Sequence, residues 1–175
     1  MAEYKIDFQK TIEDAFLSYA GYVTLYRAIP DARDGLKHGA RQGLYAQFHD
    51  KITHDKPFQK AQKSVAAGFS LCYVHGDTAL YGTLIRQGKP FVFRYPLQDI
   101  QGSFGDQMNS ENHAAQRYVE MRQSELAGTL FEGINKDTVD KWVLNYDDTE
   151  RIPSVLPSPF FYNIVNGATG IGVGM

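Results

Sequence analysis

The run from Gln59 to Arg86 constrains this chain more than any other stretch. Ala61, Val65, Ala66 and Phe69 recur at the spacing of one helical face, and the pattern continues to Cys72. Gly76 then supplies a tight turn, and Asp77 is placed to cap a short helix from Thr78 to Arg86. Helix, glycine turn, helix is the pattern of a helix-turn-helix unit, whose second helix faces a nucleic-acid groove. The flanking sequence builds around it. Residues 9–26 read as a helix, with Ile12, Phe16, Tyr19 and Tyr26 among the apolar positions of one face. Pro30 and Gly35 break the chain before a second helix, Leu36 to Ile52, with Leu44, Tyr45 and Phe48 inward. After Lys89-Pro90, the aromatic Phe91 to Pro96 and the glycine-rich Gln101 to Gly105 suggest an irregular β-wing or loop. Ala114 to Ile134 reads as a long helix, and Thr138 to Tyr146 and Phe160 to Val165 as strands. The fold class expected from this pattern is α+β, mostly helical.

With 175 residues, 43% of them hydrophobic, the chain can bury the core of one domain and a small part of a second. Its single cysteine, Cys72, excludes an internal disulfide framework and points to a reducing, intracellular setting. No apolar run approaches the roughly 20 residues of a membrane span, and the charged stretch Met1 to Lys10 lacks an apolar signal core. The net charge of −2 argues against a protein that coats DNA indiscriminately. Charge is unevenly placed, however. Arg27 to Lys63 holds eight Lys/Arg against four Asp/Glu, whereas Leu130 to Met175 holds three against six. A basic segment on an acidic protein suits a localised nucleic-acid groove, and it equally suits a mixed solvated surface.

The chemistry concentrates in Ala114-Ala115-Gln116-Arg117-Tyr118-Val119-Glu120-Met121-Arg122. A phenol is a poor nucleophile at neutral pH unless its anion is stabilised or its proton removed. The guanidinium of Arg117 can supply the first and can grip a phosphate through paired N–H donors. Alone, an Arg-Tyr dipeptide is most often an ordinary surface pair. Two further blocks accompany it: Arg27-Ala28-Ile29-Pro30-Asp31-Ala32-Arg33-Asp34-Gly35-Leu36-Lys37, and Leu71-Cys72-Tyr73-Val74-His75-Gly76-Asp77.

Taken in order and at these spacings, the three blocks resemble the breakage-reunion (A) subunits of the type IIA DNA topoisomerases, the gyrase and topoisomerase IV group. Gln101-Gly102-Ser103-Phe104-Gly105 resembles the family's glycine-rich loop before its tyrosine. Asn145-Tyr146-Asp147-Asp148-Thr149-Glu150 resembles its Asn-Tyr-Asp-Gly-Thr-Glu turn. The tail from Asn166 to Met175 resembles the end of its catalytic core. The likeness runs from about residue 12 to the last residue. It implies a winged-helix, CAP-like DNA-binding domain over 27–135. An N-terminal helical arm over 1–26 precedes it, and the start of a tower-type, β-containing segment over 136–175 follows. The glycine-rich end at Met175 suggests a fragment. The tail lacks a Gly-Lys-Ser/Thr ending, so a nucleotide loop is rejected.

The resemblance also implies roles. Tyr118 is the nucleophile that forms a 5′-phosphotyrosyl link to DNA. Arg117 and Arg27 stabilise charge on the phosphate, and Lys37, Arg41, Tyr73 and His75 contact the DNA. Ile152 is the apolar wedge that unstacks one base step and bends the duplex. Thr78 and Gly82 share one helical face, where the family usually carries a hydroxyl and an acidic residue that hold the water shell of quinolone-bound magnesium. Gly82 therefore implies a poor response to quinolones. Departures are visible. The family's His-Arg-Arg run is Ala40-Arg41-Gln42 here, and Tyr73 replaces the first histidine of its Lys-Tyr-His-Pro-His-Gly-Asp pattern. No spaced Asp-x-Asp cluster is present for a metal, so Mg²⁺ and ATP are both expected on a partner subunit. The implied assembly is a cytoplasmic homodimer on double-stranded DNA, joined by a B-type Toprim/ATPase subunit into an A2B2 heterotetramer. Two other classes remain open: a winged-helix module that binds DNA without cutting it, and a fragment that pairs with a topoisomerase subunit.

Overall fold

The structure is a computed structural model that describes residues 7–173. Its organising strand is β3, Glu120–Gln123, which pairs antiparallel on both sides in a sheet ordered β1-β3-β2. On one side it meets β1, Gln59–Lys60, with Gln59 opposite Met121; on the other it meets β2, Gln98–Gln101, with Ile100 opposite Met121. Val119 and Met121 are fully buried against α3, Ala61–Leu71, and α4, Asp77–Gln87. Leu80, Leu84 and Ile85 of α4 enter the same cluster at 0% exposure. Each contributes about 1.5–3 kcal/mol by leaving water. The helix-turn-helix expectation thus gains its two helices and a sheet behind them. Asp77 is the first residue of α4 and not its cap, however; Gly76 takes the cap position without any side-chain bond.

A second cluster joins α2, His38–His49, through Leu44 to Leu36, Leu97, Leu130, Leu156 and Tyr162. Residues on both sides of position 135 therefore share one core. A buried amide network locks α2 to the sheet. Gln47 and Gln98 exchange reciprocal amide bonds of 2.9 and 2.6 Å, Gln47 also donates to Ser64 Oγ at 3.0 Å, and the Gln123 amide donates to the Leu44 carbonyl at 2.7 Å.

Three elements differ from the sequence expectation. The long helix expected from Ala114 to Ile134 is a turn, the strand β3 and a short helix α5, Glu125–Thr129, whose cap Ser124 accepts from the Ala127 N–H. Phe160–Val165 is not a strand; Tyr162–Asn166 forms helix α6, ended by Gly167 at φ 70°. The strand expected within Thr138–Tyr146 is β4, Trp142–Leu144, and its partner β5, Arg151–Pro153, has no counterpart in the sequence pattern. At the other end α1, Phe8–Tyr22, runs into a π-helical turn over Val23–Ala28, closed by an Ile29 N–H to Thr24 carbonyl bond of 3.1 Å. No residue of α1 is buried. No helix among the described residues is long and apolar enough to cross a membrane.

Candidate functional site

The π-helical turn, the loop before α2, the face of α4 and the segment after α6 enclose a cavity of about 890 Å³. Five basic side chains line it: Arg27, Lys37, His38, His75 and Arg86. Among the described residues no aspartate or glutamate does. The electrostatic signature follows. Burial and the nearby Arg86 hold the Lys37 ammonium below the usual lysine range. Desolvation, with Arg41 and His75 close by, holds His38 below the usual histidine range. Burial raises the Tyr73 phenol, and the charge of Arg27 opposes that rise. The cations Arg27, Lys37 and Arg86 thus gather around a concave surface, an arrangement that suits an anion. Gly35 shapes its wall. It has φ 71°, and a Cβ there would lie 2.7 Å from the Asn163 nitrogen and Tyr162 Cβ.

Tyr118 lies outside this cavity's lining. It is 65% exposed, in a turn closed by its own N–H to the Ala115 carbonyl at 2.8 Å. The expected position at the start of a helix is therefore corrected: Tyr118 stands two residues before the sheet's central strand. The Arg117 Cζ lies 4.7 Å from the Tyr118 ring centroid, over the aromatic face. The Gln116 amide donates to the Asp77 carboxylate at 3.1 Å and ties the turn to the start of α4. Among the described residues no group of three or more His, Cys, Asp or Glu could hold a metal ion.

The structure thus brings Arg27, Lys37, Tyr73 and His75 together, and sets Arg117 and Tyr118 on a separate exposed turn. Thr78 is exposed on α4, and a Cβ at Gly82 would have nothing within 4 Å, so no neighbouring element requires glycine there. Two expected DNA contacts are corrected. Arg41 is 6% exposed, and its guanidinium is engaged by the Asp34 carboxylate at 2.5 and 2.9 Å and by the Leu36 carbonyl at 3.0 Å, so no phosphate can reach it. Ile152 is 6% exposed in β5 and packs with Ala46, Ala67, Leu71 and Cys72, so it cannot wedge a base step. Among the exposed apolar side chains near the cavity is Ile171, at 90%. It follows Gly167, Ala168 and Thr169, which line the wall. Two cavity residues, His38 and Arg86, lie outside the set that the sequence pattern picks out. A signal for Arg86 is present, since Thr78, Gly82 and Arg86 repeat at i, i+4 and share one helix face.

A helix pair backed by a small sheet thus carries a basic concavity and, apart from it, an exposed Arg-Tyr turn. The family follows from comparison. The family profile of the DNA gyrase/topoisomerase IV A subunit matches residues 27–175, and the chain belongs to that family. It is 43% identical over 170 residues to the DNA gyrase A subunit of Pseudomonas aeruginosa, covering 97% of this chain and 18% of that protein. Over 170 residues it is 45% identical to the gyrase A subunit of Mycoplasma pneumoniae, covering 97% of this chain and 20% of that protein. Against the Staphylococcus epidermidis homologue the identity is 44% over 164 residues, 94% of this chain and 18% of the other. The chain spans about a fifth of the length of the curated relatives it matches.

Proposed function

We propose that this chain is the DNA-binding and cleavage–religation part of an ATP-dependent type II DNA topoisomerase, with a winged-helix domain built on α3, α4 and the β1-β3-β2 sheet. The observation that carries the reading is the cavity with five basic residues and, among the described residues, no carboxylate, on the α4 helix to whose first residue Gln116 ties the exposed Arg117–Tyr118 turn. Lys37, Arg27 and Arg86 seat backbone phosphates, with His75 and Tyr73 as hydrogen-bonding partners. The Tyr118 oxygen attacks phosphorus. The bond from phosphorus to the 3′-oxygen breaks, leaving a free 3′-hydroxyl and a 5′-phosphotyrosyl link whose energy is kept for resealing. Arg117 stabilises the charge that develops on the non-bridging oxygens. Ile171 takes over the wedge role that burial denies to Ile152. Tyr118 and Arg27 do not line one cavity within a single chain, which favours a site completed in a homodimer on double-stranded DNA. Mg²⁺ and ATP belong to a B-type Toprim/ATPase partner of an A2B2 assembly in the bacterial cytoplasm.

The reading is tested by duplex binding against salt. Affinity is expected to fall steeply and almost independently of sequence, with a log–log slope of roughly −0.9 per phosphate neutralised. Lys37→Ala should reduce that slope by about one, because its cavity position commits it to a single phosphate. Fluorescence anisotropy over a salt series reads both; a flat dependence, or a Lys37→Ala slope equal to the wild type, contradicts the reading.

The same α4 face sets a drug response. Open space around Gly82 admits a carboxylate without a clash, and replacing glycine also raises local helix stability by up to about 1 kcal/mol. Gly82→Glu is expected to lower the quinolone concentration needed for half-maximal trapping of cleaved complexes. Equal concentrations for wild type and variant count against the role given to this face.

A further inference from the structure

Tyr118 sits on a turn and not on a rigid element, so its reactivity depends on what holds that turn. On its C-terminal side β3 is fixed. The Val119 carbonyl accepts from the Ala61 N–H at 2.9 Å, and Met121 is fully buried. The N-terminal side is held mainly from α4. The Tyr81 hydroxyl donates to the Ala114 carbonyl at 2.6 Å, and its ring meets His113 edge-on at 5.2 Å. The Gln116 amide reaches Asp77, the first residue of the same helix, at 3.1 Å. Upstream, the Ala114 N–H donates to the Ser103 carbonyl at 2.9 Å, closing the loop between them. Just after α4, Lys89, 2% exposed and without an acidic partner among the described ion pairs, sends its ammonium to the Ser110 carbonyl inside that loop.

Tyr81 is 5% exposed, so its hydroxyl is shielded from water and its bond to Ala114 is not readily replaced. We infer that Tyr81 is the positioning residue for the Tyr118 nucleophile: through Ala114, with Gln116 and Lys89 as supporting ties, it transmits the placement of α4 to the reacting phenol. The inference rests on Tyr118 being the nucleophile. It adds that the helix whose exposed face carries Thr78, Gly82 and Arg86 also aims Tyr118, so one rigid element serves both seat and nucleophile.

The experiment uses the full chain assembled with a DNA gyrase B subunit, and reads the rate of covalent adduct formation at saturating duplex, the duplex Kd and the melting temperature. A nucleophile misplaced by about 1 Å can lose on the order of 10²-fold in rate. Tyr81→Phe is expected to slow adduct formation by about tenfold or more, with Kd within about twofold of wild type. The fraction cleaved at the plateau should stay unchanged, because misplacement slows attack and resealing alike. Gln116→Ala, at a partly exposed site that does not threaten folding, should slow the rate in the same way but less. Tyr146→Phe removes a hydroxyl–carbonyl bond at an exposed tyrosine, to Phe69 at 3.2 Å and away from the turn, and should leave the rate unchanged. Wild-type rates in both Tyr81→Phe and Gln116→Ala overturn the inference, as does a rate loss matched by equal losses of affinity and melting temperature. If Tyr81→Phe does not fold, the Gln116→Ala rate decides. An absent adduct in the wild-type assembly removes the nucleophile reading itself, and the inference with it.

Discussion

Asp34→Ala is expected to destabilise the fold by about 3–5 kcal/mol, the usual cost of stranding one partner of a buried ion pair. Asp34 is fully buried, and its two oxygens accept four bonds. Oδ1 takes the Leu36 N–H at 3.0 Å and Arg41 Nη2 at 2.9 Å; Oδ2 takes Arg41 Nε at 2.5 Å and the Leu156 N–H at 3.0 Å. One carboxylate thus joins the loop before α2, α2 itself and the segment after β5. Alanine leaves a buried guanidinium without its counter-charge, held only by the Leu36 carbonyl, and two buried amide donors unpaired. Against a typical total of 5–15 kcal/mol, that loss removes much of the stability. Lys37 follows this loop directly, so the cavity wall should loosen with it. Urea denaturation followed by far-ultraviolet circular dichroism reads the change as a lowered midpoint or a lost cooperative transition. A loss below about 1 kcal/mol would show that the pair does not hold the loop. The same geometry explains why Arg41, basic and in the right block, is structural here.

What the sequence reveals tracks where its pattern is periodic. The helices α2, α3 and α4 are legible within a few residues because apolar side chains recur on one face. The stretch from Ala114 misleads because Val119 and Met121 alternate with Glu120 and Arg122, a two-residue period, while the next inward position is the polar Gln123. That glutamine is buried only because the Leu44 carbonyl, far away in sequence, accepts its amide. The turn at Asn145 is legible from its residue types. Asn145 Oδ1 accepts the Thr149 and Glu150 N–H groups at 3.0 and 3.1 Å, and Asp148 takes φ 59°. The partner strand β5 is not legible, since three residues ending in proline leave no alternation to see.

The site divides the same way. The family resemblance, not composition, points to Arg27, Lys37, Tyr73 and His75, and the fold gathers them in one cavity. Local sequence cannot tell that Arg41 turns inward to Asp34, that Ile152 is core, or that His38 and Arg86 complete the basic wall. Those are tertiary facts, fixed by which element lies opposite which.

Tyr118→Phe is the second large effect, and it carries the central claim. The turn exposes the phenol, and the substitution removes only its oxygen. The ring stays under the Arg117 guanidinium, and the anion seat is untouched because Tyr118 does not line it. Duplex affinity and its salt slope should therefore match the wild type, while every covalent link to DNA disappears. The direct measurement combines labelled duplex, the full chain and a DNA gyrase B subunit, stops the reaction with denaturant, and maps the adduct by peptide mass spectrometry. A single DNA-linked peptide carrying Tyr118 is expected in the wild type and none in Tyr118→Phe. A linked peptide at any other residue, or an adduct that persists in the phenylalanine variant, would contradict it.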